Sequence, residues 1–495
     1  MYLGKVISSE CGPTPTEADF VVANVDVHKN QFVQMEVNGK QAVGNVSELI
    51  KVNRYYQRAD SVQHCERNGT ELSDRFPTKE WEYVIAKSNI LGVYDDKLLK
   101  RPTLPASPGT KVFKAEDELL RRFLGFKDNG LTIGNVEHHD VPVSLDLTKT
   151  FQKHLAILAM SGAGKSYATG VLLEELLDRP KEAGRPAIVV IDVHGEYKSF
   201  ADDANYRQRT KVFSDMKIAV PDMTLEDYAS FMSDTSAPQK RELGRVVAKM
   251  KHDNAPFDLQ DIISEVKKDA SINELISQAL TAWLHQLDNS GLFAKTGSFS
   301  IKDLAKQGQL SVVDLSDLVD QKRKQLIVSF IAKQLFNMRR SNAIPPFILF
   351  VEEAHNFAQE GDVGYSISRP IIETIAREGR KFGASLCLIS QRPKKLSTTA
   401  LSQCNTQMIL RVTNPYDIKH ISESSEGIDQ AAEKSIPGLR VGEALLFGEA
   451  VNYPVFVKIR KRRSAEGGLG RDLASIARDY EEKVESLGKD AQSFM

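Results

Sequence analysis

LAILAMSGAGKSYATG, residues 155–170, decides how the rest of the chain is read. LAILAM (155–160) is a short unbroken apolar run, the pattern of a strand covered on both faces. Ser161, Gly162, Ala163, Gly164, Lys165 and Ser166 follow, and YATGVLLEELLDR (167–179) has helical spacing. A strand, a glycine-rich turn, a lysine, a hydroxyl and a helix, in that order, form the context a phosphate-binding loop requires. Small residues let backbone N–H groups close around phosphate oxygens, and the helix start adds the positive end of its dipole. Lys165 would reach the β- and γ-phosphates of a nucleotide, and the Ser166 hydroxyl would ligate Mg²⁺. The pattern G-x-x-x-x-G-K-[ST] asks for glycine where Ala159 stands, a loss of backbone freedom that leaves the cradle residues untouched. The competing reading is a chance Gly-Ser turn between a strand and a helix.

Further along, AIVVID (187–192), LSVVDL (310–315), PFILFVEE (346–353), ASLCLIS (384–390) and QMILRV (407–412) repeat the strand pattern. Strands alternating with helices imply a parallel sheet with both faces covered. Residues 205–305 break that alternation with helical runs such as DIISEVKKDA and LISQALTAWLHQL, a helical insertion. The α/β core is therefore expected over 151–204 and 306–465, including the late runs EALLF (443–447) and VFVKIR (455–460). Residues 466–495 read as a C-terminal helix with Leu473, Ile476, Ala477, Tyr480, Val484 and Leu487 on one stripe. That stripe packs either on its own domain or on an adjacent copy.

Residues 1–100 read as β-rich, a small barrel or sandwich. Within them His28-Lys29-Asn30 is the expected hairpin turn between ADFVVANVD and NQFVQMEVN. RPTLPASPGT (101–110) reads as a linker. It opens an entry segment, 101–150, whose AEDELLRRFLGF forms a helix with Leu119, Leu120, Phe123 and Leu124 on one stripe.

The 495 residues suffice for about three domains. Lys+Arg 65 against Asp+Glu 66 leaves a net charge of −1, which excludes a general polyanion-binding surface. Contact with nucleic acid must then be a local patch or a lined channel. Cys11, Cys65, Cys387 and Cys404 are far apart, without metal-type spacing, and read as thiols of a reducing compartment. No apolar run approaches the ~18 residues of a membrane span, and the first residues lack a signal-peptide pattern. The expectation is a cytoplasmic, water-soluble protein with no membrane partner.

FILFVEEAH is an apolar strand that ends in Glu352 and Glu353. In a P-loop enzyme such a strand is expected beside the P-loop strand, with one acid supporting Mg²⁺ and the next polarising water. Glu352 takes the first role and Glu353 that of general base; two solvated carboxylates at a strand exit are the bland alternative. Asp192 and Glu196 reach the same sheet edge, as caps, ion-pair partners or catalytic groups. YSISRPIIETIAREGRKFG (365–383) is a two-faced helix: Ile367, Ile371, Ile372, Ile375 and Phe382 oppose Glu373, Arg377, Arg380 and Lys381. The basic face is either solvated or offers an arginine finger to a neighbouring subunit, Arg380 first and Arg377 second. Gln391 ends the next strand, where an amide senses phosphate and orients water, or simply caps the strand. Lys394 and Lys395 follow in a loop, solvated or touching a nucleic-acid backbone. KIRKRRS (458–464) is a charge run with the same two readings, a partner contact included in the second.

Together these stretches resemble the HerA family of hexameric DNA translocases, within the HerA–FtsK group of P-loop ATPases. The matching pieces are DVPVSLDL, KHLAILAMSGAGKSY, VLLEELLDR, IDVHGEY, FVEEAH, IAREGRKFGASLCLISQRP and LSQCN, with the β-rich start and its linker. The resemblance implies an α/β, RecA-like P-loop core with a helical insertion, preceded by a small HAS-type β-barrel. It implies a homo-hexameric ring that threads double-stranded DNA, hydrolyses ATP with Mg²⁺ at subunit interfaces and works with a NurA-type nuclease in resecting double-strand break ends. Lys165, Ser166, Glu352, Glu353 and Gln391 would act within one subunit and Arg380 across the interface. Lys153 occupies a nucleotide-approaching position where the family has arginine; lysine keeps the charge and loses the fork. Membrane segments accompany FtsK-type and conjugation ATPases, so their lack here favours the HerA branch. The alternative is a nucleotide-switched ring scaffold for a partner nuclease or defence effector. A monomeric small-molecule kinase would leave the basic helix and the barrel without a role.

Overall fold

The structure, a computed structural model, describes every residue except 9–11, 24, 70, 96–97, 233–234, 254, 362–365, 426, 429, 466–473 and 484–495. Two units emerge, Met1–Asp146 with Gly427–Arg460, and Leu147–Glu426 with Lys461–Met495. The expected boundaries at 100, 150 and 465 therefore move.

In the first unit, Phe20–Val22, Tyr2–Val6, Lys111–Lys114, Phe32–Val37, Lys40–Asn53 and Glu82–Asp95 are neighbours in that order. Phe20–Val22 also pairs with Glu82–Asp95, which closes the sheet into a barrel. Leu3, Phe20, Val33, Met35, Val46 and Ile90 fill it. The strand Lys111–Lys114 lies beyond RPTLPASPGT, so the linker is a barrel loop and the barrel does not end at 100. His28-Lys29-Asn30 does not make the expected hairpin, because Phe20–Val22 and Phe32–Val37 are not paired. The hairpin is instead Phe32–Val37 with Lys40–Asn53, turned by Asn38 and Gly39 at φ 50 and 72. An Asn-Gly pair tolerates two successive left-handed residues, and that geometry matches the twist of the strands it joins. Glu443–Gly448, Val455–Ile459, Leu131–Val136 and Pro142–Leu145 follow one another as an antiparallel run. By the division into units, EALLF and VFVKIR fall in the first unit, while their strands are members of the eleven-stranded sheet expected to hold them. Asp117–Leu124 is the expected short helix, with Leu119, Leu120, Phe123 and Leu124 buried and Gly125 (φ 79) ending it.

The second unit is built on a parallel sheet. In chain order its main elements are β1 (Leu155–Leu158), α1 (Lys165–Asp178), β2 (Ala187–Asp192), β3 (Thr210–Phe213), β4 (Leu310–Asp314), α2 (Gln321–Arg340), β5 (Phe347–Val351), α3 (Arg369–Glu378), β6 (Ala384–Ser390) and β7 (Thr406–Ile409). The strand order is β3-β4-β2-β5-β6-β1-β7, and every neighbouring pair is parallel. Every residue of β1, β2, β5 and β6 is buried, which is why these runs are apolar throughout rather than alternating. The glutamate strand β5 is not beside the P-loop strand β1; β6 lies between them.

The insertion carries the helices Leu225–Phe231, Ala237–His252, Leu259–Lys268 and Glu274–Asp288. Three of them start with reciprocal caps, Thr224 with Asp227, Ser236 with Gln239 and Asp258 with Asp261. Residue 205 is not its start, because β3 still belongs to the main sheet. The basic helix begins at Arg369 rather than 365, and 379–382 tightens to a 3₁₀ turn. Of the terminal stripe, Leu473, Val484 and Leu487 lie outside the described residues, and Ile476 and Tyr480 are solvent-exposed. KIRKRRS is not simply a solvated run. Arg463 pairs with Glu175 and Asp178, both at 2.7 Å, and the N–H groups of Arg463 and Ser464 donate to the buried Glu174, each at 2.8 Å. Residues 462–465 are thereby strapped to α1.

His154 pins the foot of β1. Its Nδ1 accepts the N–H of Leu386 on β6 (2.9 Å), and Nε2–H donates to the Ala376 carbonyl on α3 (2.9 Å). The Leu386 N–H requires an unprotonated Nδ1, and burial lowers the ring's pKa from 6.5 to about 4 against the opposing pull of the Ala376 carbonyl. A histidine held neutral in this way contributes its full stability above pH 6.5 and loses it as pH falls toward 4. The loss amounts to at most ~1.4 kcal/mol per pH unit. Between pH 7 and 5 the wild-type Tm should therefore fall more steeply than that of His154→Gln, as calorimetry would show; parallel slopes would remove this role.

Candidate active site

The turn after β1 has the geometry of a cradle. Gly162 and Gly164 take φ 75 and 93, left-handed values that disfavour any side chain, and a Cβ on Gly162 would meet nothing within 4 Å. No side chain caps the start of α1, so its first N–H groups are left for a ligand. Ala159 is buried and outside the left-handed region, and its N–H is bonded to the Ser390 carbonyl (3.1 Å). Glycine is not needed there, which accounts for the departure from the motif.

Lys165, at the first position of α1, places Nζ 2.5 Å from Glu353 Oε1. Both side chains are nearly buried, 10% and 4% exposed, so each charge depends on the other. Glu353 follows β5 with φ 48, a left-handed conformation that a non-glycine residue adopts only under constraint. The bend brings its carboxylate to Lys165 of the cradle, while Glu352 turns to the loop after β2. His194 Nε2 is 3.8 Å from Glu353 Oε1, and His355 Nδ1 is 3.3 Å from Oε2.

Glu352 is fully buried, and its Oε2 accepts the N–H groups of Val193 (2.8 Å) and His194 (3.3 Å). It braces the loop after β2. Burial, then the nearby Asp192 and Glu196, push its pKa to about 9, so it is protonated at neutral pH without a nucleotide. Asp192 is also a brace, accepting from the N–H groups of Gly195 (2.7 Å), Glu196 (3.1 Å) and Tyr197 (2.9 Å). Of the roles left open for it, capping is the one observed. Glu196 Oε2 and Glu352 Oε1 are buried without a hydrogen-bond partner among the described residues. Among the described residues no cluster of carboxylates, histidines and cysteines would hold a metal unaided. Mg²⁺ suits that arrangement, since it keeps waters and takes phosphate oxygens. Ser166 and the orphaned acidic oxygens are the groups here that fit it.

Gln391 directly follows β6 and so emerges between the P-loop strand and the glutamate strand, partly exposed. Beyond it, Lys394 and Lys395 are exposed; Lys394 Nζ lies 4.7 Å over the exposed Tyr416 ring and its N–H donates to Asp417 (2.9 Å). Arg377 is half exposed, 3.9 Å from Glu373. Arg380 is exposed with no ion-pair partner among the described residues. Arg380 precedes β6, a strand of seven residues, so it sits at the edge of the sheet opposite the cradle, about 20 Å away along the strand. Lys153 precedes β1 and lies at that same far edge. The site thus gathers Ser161–Ser166, Glu352, Glu353 and Gln391, and leaves Lys153, Arg377 and Arg380 outside it. His355 and His194 went unassigned in the sequence reading. Their signal was adjacency: each lies two residues beyond an acid of the site, Glu353 and Asp192.

Comparison with known proteins agrees with this geometry. Residues 131–335 match the family model for the central domain of helicase HerA. The DNA double-strand break repair helicase HerA of Saccharolobus solfataricus is 28% identical, over 100% of this chain and 98% of that protein. HerA of Pyrococcus furiosus is 28% identical over 79% and 80%, and a probable helicase of Methanocaldococcus jannaschii is 28% identical over 95% and 94%. Among solved structures, VirB4 of Thermoanaerobacter pseudethanolicus superposes with a TM-score of 0.54 at 17% identity, covering 68% of this chain and 98% of that one. Plasmid coupling protein TrwB in complex with ADP and Mg²⁺ gives 0.51 at 14%, covering 71% and 94%. These two share the fold. No helix among the described residues is long and apolar enough to cross a membrane.

A carboxyl with a raised folded-state pKa holds its proton more tightly folded than unfolded, so stability declines as pH rises from 4.5 toward 9. Glu352→Gln has no such proton to lose. The Tm difference between nucleotide-free variant and wild type should therefore move in the variant's favour from pH 5 to 9, and a flat difference would show that Glu352 is ionised throughout.

Proposed function

We propose that the chain is of the HerA type and acts as an ATP-driven motor on double-stranded DNA. It works as a homo-hexameric ring, with a NurA-type nuclease, in resecting double-strand break ends. Homologues named as DNA double-strand break repair helicases support the DNA substrate. The observation that carries the mechanism is the buried Lys165–Glu353 pair at the mouth of an open phosphate cradle.

ATP enters the turn Ser161–Ser166, and its phosphates take over Lys165. Ser166, supported from the Glu352 side, would hold Mg²⁺, which would supply positive charge against the phosphates. Glu353, released from its cation, accepts a proton from the attacking water, and Gln391 orients that water and senses the γ-phosphate. The far-edge position of Arg380 supports a role in trans: it faces no site of its own and is free to fork around a neighbour's γ-phosphate as charge builds there. Lys153 shares that edge and acts across the same interface. Arg377 is the second finger position. Release of phosphate shifts one subunit against the next and moves the Lys394–Lys395 loop along the DNA backbone, with low sequence preference.

Glu353→Gln should bind ATP with near-wild-type affinity and hydrolyse it at least about 100-fold more slowly; a variant that keeps most of its turnover would end the base assignment. Duplex DNA should stimulate wild-type turnover, and less so as salt rises. Activity indifferent to DNA would favour the switched scaffold over the motor.

Mass in solution with ATP should approach six times 55.1 kDa. Titrating Arg380→Ala into wild type should depress ATPase activity more than in proportion, because each variant disables the neighbour's site; strictly proportional loss would show that every subunit works alone.

A further inference from the structure

Glu353 Oε2 is buried without a hydrogen-bond partner among the described residues, and the mechanism gives it no role. Lys165 holds Oε1. His355 faces Oε2 with Nδ1 at 3.3 Å, and the same nitrogen is 3.1 Å from Ser390 Oγ. His355 is itself buried, 7% exposed, on the short 3₁₀ turn Ala354–Asn356 that follows the base. Ser390 is the last residue of β6, directly before Gln391. Its Oγ is fixed from the far side by the N–H of Arg392 (3.0 Å), which opens the turn bearing Lys394 and Lys395. A carboxylate beside Nδ1 favours the tautomer with hydrogen on that nitrogen, and the hydroxyl and the carboxylate then compete for one donor.

We propose that His355 is a positioning residue that couples the DNA-facing turn after β6 to the general base. Once the nucleotide claims Lys165, the unbonded Oε2 closes on the N–H at His355 Nδ1, now 3.3 Å away, and that anchor leaves Oε1 as the oxygen that faces water. Displacement of residues 392–395 moves Ser390 Oγ through the Arg392 N–H. The shared donor then tilts toward or away from Glu353. Load on the loop therefore reads out as orientation of the base, with no need for a change in nucleotide affinity. The inference rests on the base assignment of Glu353 and on DNA contact at the Lys394–Lys395 turn.

The test uses the full chain and compares His355→Leu, which removes the donor, with His355→Asn, whose amide nitrogen reaches the position of Nδ1. Turnover is measured with and without duplex DNA, and affinity with a fluorescent ATP analogue. In His355→Leu, KM and analogue affinity should stay within about twofold of wild type while kcat falls and the stimulation by DNA drops toward one. His355→Asn should recover most of the stimulation. Ser390→Ala should lose stimulation as well, and the double variant should be no worse than His355→Leu, the non-additivity expected of one shared contact. If His355→Leu keeps the wild-type stimulation, or if His355→Asn, folded with wild-type Tm, recovers none of it, the coupling role is overturned. Glu353→Gln separates the two readings. If it is inactive while His355→Leu is normally stimulated, only the coupling fails; if it is active, the base assignment fails first.

Discussion

A lysine and a glutamate, 188 residues apart in the chain, meet at 2.5 Å in a nearly dry site, and much of the second unit exists to bring them together. Neither charge is affordable there alone. Their meeting requires the turn after β1 to present Lys165 at a helix start, and the left-handed bend at Glu353 to rotate a carboxylate off the end of β5. It also requires the intervening β6 to hold the two strand ends at the right spacing. The pair is a neutral resting state. A polyphosphate can take the ammonium without paying to desolvate it, and in doing so it uncovers a carboxylate that was masked.

The sequence was explicit where a residue type is demanded by local physics. The two glycines with positive φ, the lysine and the apolar strands could be placed from their order alone, because an all-parallel buried sheet leaves a continuous apolar signature. The order of strands was not legible: that β6 separates β5 from β1 is decided by crossovers, which leave no mark in any single strand. Asn38-Gly39 is a stronger turn signal than His28-Lys29-Asn30, because both of its residues tolerate positive φ, and it is the pair that turns the hairpin. The late strands 443–459 have the same composition as core strands, and nothing local says that they pair with Leu131–Val136. In the site, the acids were found because they end strands. Which of them meets the cradle, and which braces a loop, depended on one backbone bend at Glu353. KIRKRRS looked like a free charge run, since the acids that absorb part of it, Glu174, Glu175 and Asp178, lie nearly 290 residues upstream.

The two edges of the parallel sheet have different tasks. The carboxyl edge carries everything that would touch a nucleotide bound to this copy. The amino edge carries Arg380 and Lys153, cations with no reach to that nucleotide. On the proposed reading, the Arg380 guanidinium serves a second cradle rather than its own.

The first unit takes residues 1–146 and then 427–460, while the second takes 147–426 and the chain end. During synthesis the strand Leu131–Val136 emerges more than 300 residues before its partner Val455–Ile459. α1 likewise waits for residues 462–465, which cover the carboxylate of Glu174. Neither unit can finish folding on the ribosome before translation is almost over. Through that interval the nascent chain carries an unpaired sheet edge, a template for wrong pairing and a natural client surface for holding factors. The same interleaving means that neither unit can be lifted out or exchanged as one continuous cassette.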